Sequence, residues 1–305
     1  MRILVTGGAG FIGSHVADRL LELGHHVVIL DNLSTGSHDN IPPQASFIKG
    51  DITDMELVKE LFQQYRFEIV NHHAAQMNVR HSVDDPVFDA RVNILGTINL
   101  LQSSIREGVK KFIFSSTGGA IYGEQQDFPA DENHPLNPVS PYGISKLACE
   151  KYIYYHHVEY GLAYATLRYA NVYGPRQNPH GEAGVVAIFS NLLANGKQVT
   201  INGDGLQTRD YVYVGDVVEA NVLTLTHHDT VTLNIGTGIE TDVVTLYEYL
   251  AGAAGTSRKP SHGPPKPGEQ RRSAISPRSA RKTLGWEPKI SLADGLPMTY
   301  RSFKK

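Results

Sequence analysis

The sequence predicts an α/β fold: a doubly wound parallel sheet with a smaller, interleaved C-terminal lobe. Three observations carry that expectation. Strand-length apolar runs alternate with helix-period segments as far as Gly174. A glycine-rich turn, TGGAGFIG, joins the first strand to the first helix. Beyond Gly174 the alternation loosens, which marks a second lobe.

The elements follow in order. RILVT reads as a buried strand and FIGSHVADRLLELG as an amphipathic helix closed by Gly24. HVVILD is a second buried strand. A strand–helix–strand unit of about thirty residues implies parallel strands. ASFIKGD, EIVNHHA, KFIFSS and AYATLRY continue as strands, with helices at 54–65, 86–107 and 142–160 between them. GVVAIFSNLLANG is helical, VTINGDG strand-like and TLNIGTG a further strand. SRKPSHGPPKPGEQRRS (257–273) is rich in proline and charge and reads as a loop that orders on binding or as a connection near the C-terminus. The expected division is residues 1–174 plus about 208–235 as a dinucleotide-binding domain, and about 175–207 plus 236–305 as a substrate domain.

Bulk properties narrow the function. A formal net charge of −3 over 305 residues implies no polyanion partner, and no basic stripe with interleaved aromatics points to nucleic acid. No run approaches the ~18 apolar residues of a membrane span. The opening MRILVTGG holds too short an apolar run for a signal-peptide core. The single cysteine, Cys149, excludes an internal disulfide and fits a reducing compartment, so a cytoplasmic protein is expected. Histidine pairs at 25–26, 72–73, 156–157 and 227–228 lack the spacing and partners of a metal site, and no metal is expected.

TGGAGFIG (6–13) contains G-x-G-x-x-G as Gly8, Gly10 and Gly13, and G-x-x-G-x-x-G as Gly7, Gly10 and Gly13. A strand precedes it, a helix beginning near Phe11 and Ile12 follows, and Asp31 closes the second strand. That context makes it a dinucleotide fingerprint. Glycines let the backbone approach a pyrophosphate, and the helix N-terminus offers N–H groups and the positive end of its dipole. Asp31 suits the adenosine ribose hydroxyls and repels a 2′-phosphate, which favours NAD over NADP. Asp51 and Ile52, after the third strand, are placed to meet adenine.

Within SPYGISK, Tyr142 stands four residues before Lys146, on the same helix face. The pair follows FIFSST, a strand whose C-terminal end would border the ligand crevice of a parallel sheet. Ser115, Ser116, Thr117, Tyr142 and Lys146 can therefore converge there. A tyrosine acting as a base near neutrality must fall roughly 2–3 units from its usual pKa of about 10. One lysine charge at about 5 Å, in an effective dielectric near 20, supplies about 3 kcal/mol, and an oxidised nicotinamide would add a second positive charge, so the magnitudes suffice together.

TGGAGFIG, SSTGGAIYG, SPYGISK, RYANVYGPRQ, TRDYVYVGDV, NIGTG and LGWEPKISLADGL together resemble the extended short-chain dehydrogenase/reductase family, with the Rossmann fold. Within it the chain is similar to the bacterial UDP-glucose 4-epimerases. The resemblance implies an NAD-dependent UDP-sugar 4-epimerase working through a 4-keto sugar, and a homodimer. Tyr142 would take the proton of the sugar 4-hydroxyl, Lys146 would hold the nicotinamide ribose, and Thr117 would relay the proton. Aligned from AIYG instead, Ser116 is the alternative to Thr117, which is preferred. Cofactor contacts are implied for Gly7, Gly10, Phe11, Ile12, Gly13, Asp31, Asn32, Asp51, Ile52, Ala74, Ala75, Asn93, Ser115, Tyr142, Lys146 and Tyr169. Substrate contacts are implied for Thr117, Gly118, Tyr142, Asn171, Val185, Val186, Arg209, Lys266, Glu269 and Ser273.

Departures from relatives refine this. Sugar-nucleotide dehydratases and decarboxylases of the family carry a carboxylate where this chain has Gly118 and Gly119, and glycine has no proton to give for elimination. Relatives carry Arg-x-Gly-Asp in the late loop; here KPGE supplies Lys266 and Glu269, with Arg271 and Arg272 nearby. Ser273 occupies the position that gates the C2 substituent, where a small residue leaves room for an N-acetyl group. Neighbouring enzymes of the family make UDP-glucuronate and UDP-N-acetylglucosamine alternative substrates. A non-catalytic NAD-binding regulator would tend to lose Tyr142 or Lys146, and both are present.

Overall fold

The computed structural model describes residues 1–180, 184–265 and 270–304. Strand β1 (Arg2–Thr6) buries Ile3, Leu4 and Val5 completely, as expected of a parallel strand covered on both faces. Helix α1 (Phe11–Glu22), β2 (His26–Asp31), β3 (Ser46–Lys49), α2 (Met55–Tyr65) and β4 (Ile69–His72) follow. Two short helices come next, α3 (Val79–Asp84) and α4 (Pro86–Ala90). A π-helical turn at Arg91–Leu95 and α5 (Gly96–Arg106) complete that stretch. β5 (Lys111–Thr117), the four-residue α6 (Gly118–Ile121), α7 (Pro141–Tyr160) and β6 (Ala163–Tyr169) carry the chain to the looser half. There lie β7 (Asn171–Tyr173), α8 (Val185–Ala194), β8 (Thr200–Asn202), β9 (Thr208–Arg209), β10 (Tyr211–Tyr213), α9 (Val214–Thr226) and β11 (Val231–Ile235). β12 (Thr241–Asp242), α10 (Val243–Ala254), β13 (Ser261–Gly263), α11 (Arg278–Leu284) and α12 (Leu292–Phe303) end it.

The main sheet has the order β3-β2-β1-β4-β5-β6-β11. Val5 pairs in parallel with Ile29 on one side and Asn71 on the other. The order reverses between β1 and β4, and an open α/β sheet binds ligands at that point, beyond the strand C-termini. The doubly wound fold expected from the sequence is therefore present.

The chain divides into two compact units. One comprises Met1–Gly123, Leu136–Arg168 and Val218–Leu233; the other comprises Glu124–Pro135, Tyr169–Val217 and Asn234–Lys305. The first is built on an apolar core that includes Leu4, Val28, Phe62, Val70, Phe112 and Ile153. The second packs Val186, Phe189, Tyr247, Leu250, Leu296 and Tyr300 around Ile201.

Two expected elements differ in detail. The single helix over 86–107 is three segments, because a π turn inserts an extra residue and swings Asn93 inward, where it is 2% exposed. The run 257–273, expected as loop, contributes β13. It pairs in parallel with β8, Ser261 opposite Thr200, since backbone hydrogen bonding asks little of side-chain composition there.

Candidate active site

The cofactor loop is held by glycine contacts that no other residue allows. Gly7 has φ +68°, and a Cβ there would lie 2.6 Å from Ala74 N. A Cβ on Gly13 would lie 2.3 Å from Gly7 O, so the first turn of α1 sits directly on the loop. Gly10 caps α1 without any side-chain hydrogen bond, so the N–H groups of Phe11, Ile12 and Gly13 in the first turn have no side-chain cap. An anionic pyrophosphate fits this cradle.

Asp31 ends β2 and is buried, with Oδ2 accepting from Ala9 N at 3.0 Å and Oδ1 from Leu33 N at 2.8 Å. Each carboxylate oxygen keeps acceptor capacity beyond that one bond. Asn32 donates Nδ2 to Asp51 Oδ2 at 2.7 Å, and Asp51 Oδ1 takes both Thr53 N and Thr53 Oγ1. Burial opposes the Asp51 charge, but these bonds win and hold its carboxyl below the usual range. Ile52 is buried against the bare face of Gly96, where a Cβ would come within 2.5 Å of its Cδ1. Ala74 follows β4 and donates its N–H to Thr6 Oγ1. Asn93 accepts from Gln76 N and donates to Gln76 O and Asp89 Oδ1, bracing the loop that carries Ala74 and Ala75.

Helix α7 begins cleanly: Ser140 Oγ accepts from Gly143 N, Pro141 occupies the first position, and Gly161 closes the helix at φ 73°. Its buried stripe is Gly143, Ser145, Lys146, Cys149, Glu150, Ile153 and His156. Lys146 Nζ donates to Ser115 O at 2.8 Å and lies 4.7 Å from the Phe114 ring centre. Burial lowers its pKa to about 8, against the opposing charges of Cys149, Asp89 and Glu150. Tyr142 is partly exposed one turn earlier, its N–H bonded to Ser82 Oγ. The expected depression of its phenol does not hold in the protein alone. Burial pushes the Tyr142 pKa up, and the charges of Asp89 and Cys149 push the same way. Desolvation of the phenolate opposes any attraction from the Lys146 charge, and sequence spacing alone does not show it.

Strand alternation separates the two candidate hydroxyls. Ser116 is 3% exposed and donates to Glu150 Oε1 at 2.5 Å, whereas Thr117 is half-buried at the end of β5 and caps α6 without a side-chain bond. The Ser116 hydroxyl is thus committed within the protein. Gly118 is buried at the start of α6.

In the second unit, Asn171 has an exposed side chain while its N–H bonds Asp210 O. Arg209 donates Nη1 to Thr208 O. Ser273 is 3% exposed, and its carbonyl accepts from Asp210 N. Val185 and Val186 form the first turn of α8, with Val186 in the apolar core; Tyr169 is buried at the end of β6. Lys266 and Glu269 lie outside the described residues. Arg271 and Arg272, the nearby cations, are engaged with Asp204 and Glu240 as bidentate pairs.

Comparison with known proteins agrees with this geometry. Residues 3–236 match the model of the NAD dependent epimerase/dehydratase family. The chain belongs to that family. A UDP-glucose 4-epimerase of Mycolicibacterium smegmatis is 45% identical over all of this chain and 99% of its own length. The crystal structure of UDP-glucose 4-epimerase with UDP-glucose from Thermotoga maritima superposes with a TM-score of 0.98 at 51% identity, covering 99% of this chain and 98% of that one. The Thermus thermophilus UDP-glucose 4-epimerase complex with NAD gives 0.94 at 46% identity, covering 99% of both.

Within this epimerase/dehydratase framework, several buried polar residues escaped the sequence. Asp89, fully buried on α4, accepts from Gln76 Nε2, Asn93 Nδ2 and, at 2.6 Å, Ser145 Oγ of α7. Glu150 pairs with Arg168 of β6. A usable signal existed for Glu150, which follows Lys146 by one helical turn; its partner is set only by the fold.

Proposed function

We propose that this protein is an NAD-dependent UDP-sugar 4-epimerase, an isomerase that interconverts UDP-glucose and UDP-galactose through a transient 4-keto sugar. The observation that carries this reading is the pair Tyr142 and Lys146 on α7, with Lys146 bonded to the end of β5, followed by Gly118 and Gly119 in place of an acid. When bound, NAD supplies the hydride acceptor and a second positive charge to set against the burial of the Tyr142 phenol. Tyr142 takes the proton from the sugar 4-hydroxyl, Thr117 bonds the 4-oxygen, and Lys146 holds the ribose and the local charge. Without a carboxylic acid beside Thr117, water is not eliminated and the keto sugar is reduced again. The first unit is the NAD-binding domain, with the loop 7–13 on pyrophosphate and Asp31 on ribose. The second is the UDP-sugar domain, with Asn171 on the diphosphate or the sugar and Arg209 on phosphate.

Incubating the purified protein with each UDP-sugar and separating the products tests the proposal. UDP-glucose and UDP-galactose should interconvert without net NADH. A dehydrated or decarboxylated product, or no turnover with NAD supplied, would overturn it. UDP-glucuronate in the same assay tests the alternative sugar.

A second substrate, the N-acetyl sugar, is favoured by the small, buried Ser273. Ser273→Tyr should cost that substrate on the order of 1–3 kcal/mol, roughly five- to a hundredfold in kcat/KM, through overpacking of the C2 pocket. UDP-galactose should be spared; equal losses would remove Ser273 as the gate.

We further infer a cytoplasmic homodimer. The single buried thiol, Cys149, supports the compartment. Val87, Leu95, Tyr154 and Val158, each more than half exposed on helical segments around α7, support a face for a second copy. Light scattering on the purified protein checks the dimer.

A further inference from the structure

The strand end that carries Thr117 leads into two glycines, Gly118 and Gly119. Glycines constrain a backbone least, so a hydroxyl that must sit within a few tenths of an ångström of its target needs an external tie. Both ends of this segment are tied to the same buried ion pair. At one end, Ser116 Oγ donates to Glu150 Oε1 at 2.5 Å. At the other, Tyr122 Oη accepts from Arg168 Nη1 at 3.0 Å, and the guanidinium lies 5.4 Å from the Tyr122 ring centre. Glu150 and Arg168 close the ring: Nε meets Oε1 at 3.1 Å and Nη2 meets Oε2 at 2.6 Å. All four residues are at least nine-tenths buried.

We infer that Ser116, Glu150, Arg168 and Tyr122 form a positioning frame that fixes the Thr117–Gly118 segment for catalysis. A buried ion pair is seldom kept for stability, because desolvation offsets its attraction and apolar residues pack as well. Here it joins three elements, α7, β5 and β6, at the turn where Lys146 also meets Ser115 O. The frame therefore sets the register between the residue that takes the proton and the hydroxyl that relays it. Burial pulls the Arg168 pKa down, but the bonds and charge of Glu150 more than offset this, so the guanidinium stays charged.

The inference rests on the epimerase reading of Thr117, and the test separates the two. Ser116→Ala and Tyr122→Phe each remove one hydroxyl and leave the Glu150–Arg168 pair intact, so the fold should hold. Each is made alone and together with Thr117→Ala. Thr117→Ala should lower kcat at least about tenfold. Ser116→Ala and Tyr122→Phe should each lower kcat about fivefold, with KM and NAD content nearly unchanged; Tyr122→Phe, which strands the Arg168 Nη1 donor, should also lower the melting temperature by a few degrees without unfolding the protein. In the Thr117→Ala background each should change kcat by less than about twofold, because the group they position is gone. If Thr117→Ala is silent, the relay reading falls and the frame with it. If Thr117→Ala is costly but the other two have no effect, or multiply fully with it, the frame alone is overturned. A Ser116→Ala loss larger than that of Thr117→Ala makes Ser116 the reacting hydroxyl and also overturns the frame.

Discussion

Two buried aspartates, one in each unit, show how the same side chain serves opposite ends. Asp31 accepts one backbone N–H on each oxygen, from Ala9 and Leu33, in the turn beside the glycine loop. Asp210 gathers Thr237 N, Thr237 Oγ1, Gly238 N and Ile275 N onto its two oxygens. Burial raises the Asp210 pKa, and those bonds pull the other way. The first carboxylate retains capacity for a ligand; the second is spent on joining three backbone segments. A buried charge is thus read by what its lone pairs still have to offer.

The largest expected effect tests the ligand side of this contrast at the reacting group. Tyr142→Phe removes the proposed proton acceptor and leaves the Ser82 bond to the backbone N–H untouched. Turnover should fall at least ~10²-fold with NAD retained and the melting temperature unchanged. Near-normal turnover would remove Tyr142 from the chemistry.

Asp210→Ala should act on stability. It strands several buried donors, each costing about 1–3 kcal/mol, so a loss of at least about 3 kcal/mol is expected in urea unfolding. Asp31→Ala strands only the Ala9 and Leu33 N–H groups, so its stability loss should be smaller, and its distinguishing effect should fall on the cofactor, because the bond proposed from Asp31 to the ribose is charge-assisted. NAD affinity should weaken by about 1.5–3 kcal/mol, roughly ten- to a hundredfold, and discrimination against NADP should relax. If Asp31→Ala unfolds the protein while Asp210→Ala only weakens ligands, the division between the two is reversed.

The same contrast explains what was legible beforehand. Period and glycine spacing are local, so the βαβ alternation, the 7–13 loop, Asp31 and the Tyr142–Lys146 pair could be read from the chain. The Asp89–Ser145 bond spans 56 positions and the Ser116–Glu150 bond 34, and no local pattern announces either. Asp210 is adjacent to Arg209 in the chain, yet the short strands β9 and β10 send its carboxylate to Thr237, Gly238 and Ile275. The rise in the Tyr142 pKa was hidden for a related reason: desolvation depends on the packing around α7, whereas the Tyr–Lys spacing shows only that the two share a face.

The smallest effect concerns buried groups that carry no charge at all. His72 bonds Thr6 Oγ1 through Nδ1 and Thr97 Oγ1 through Nε2, and burial lowers its pKa well below 6.5. The neighbouring His73 is lowered to about 3, by burial first and then by the Lys146 charge. Unfolded, both titrate near 6.5. Below that value the unfolded chain binds protons that the folded chain refuses, so stability is full above it and is lost as pH falls toward the folded values. Between about pH 6 and about pH 5 each histidine should cost roughly 1 kcal/mol. Urea unfolding at the two pH values, for the native chain and for His73→Leu, measures the difference. The variant should lose about 1 kcal/mol less over that interval, whatever its absolute stability. An identical pH dependence would mean that His73 already carries a proton in the folded protein, with a polar partner for it beside Gly7 and Ala74. In that case this face of the cofactor loop would have charge to offer a phosphate, as Asp31 has acceptor capacity to offer a ribose.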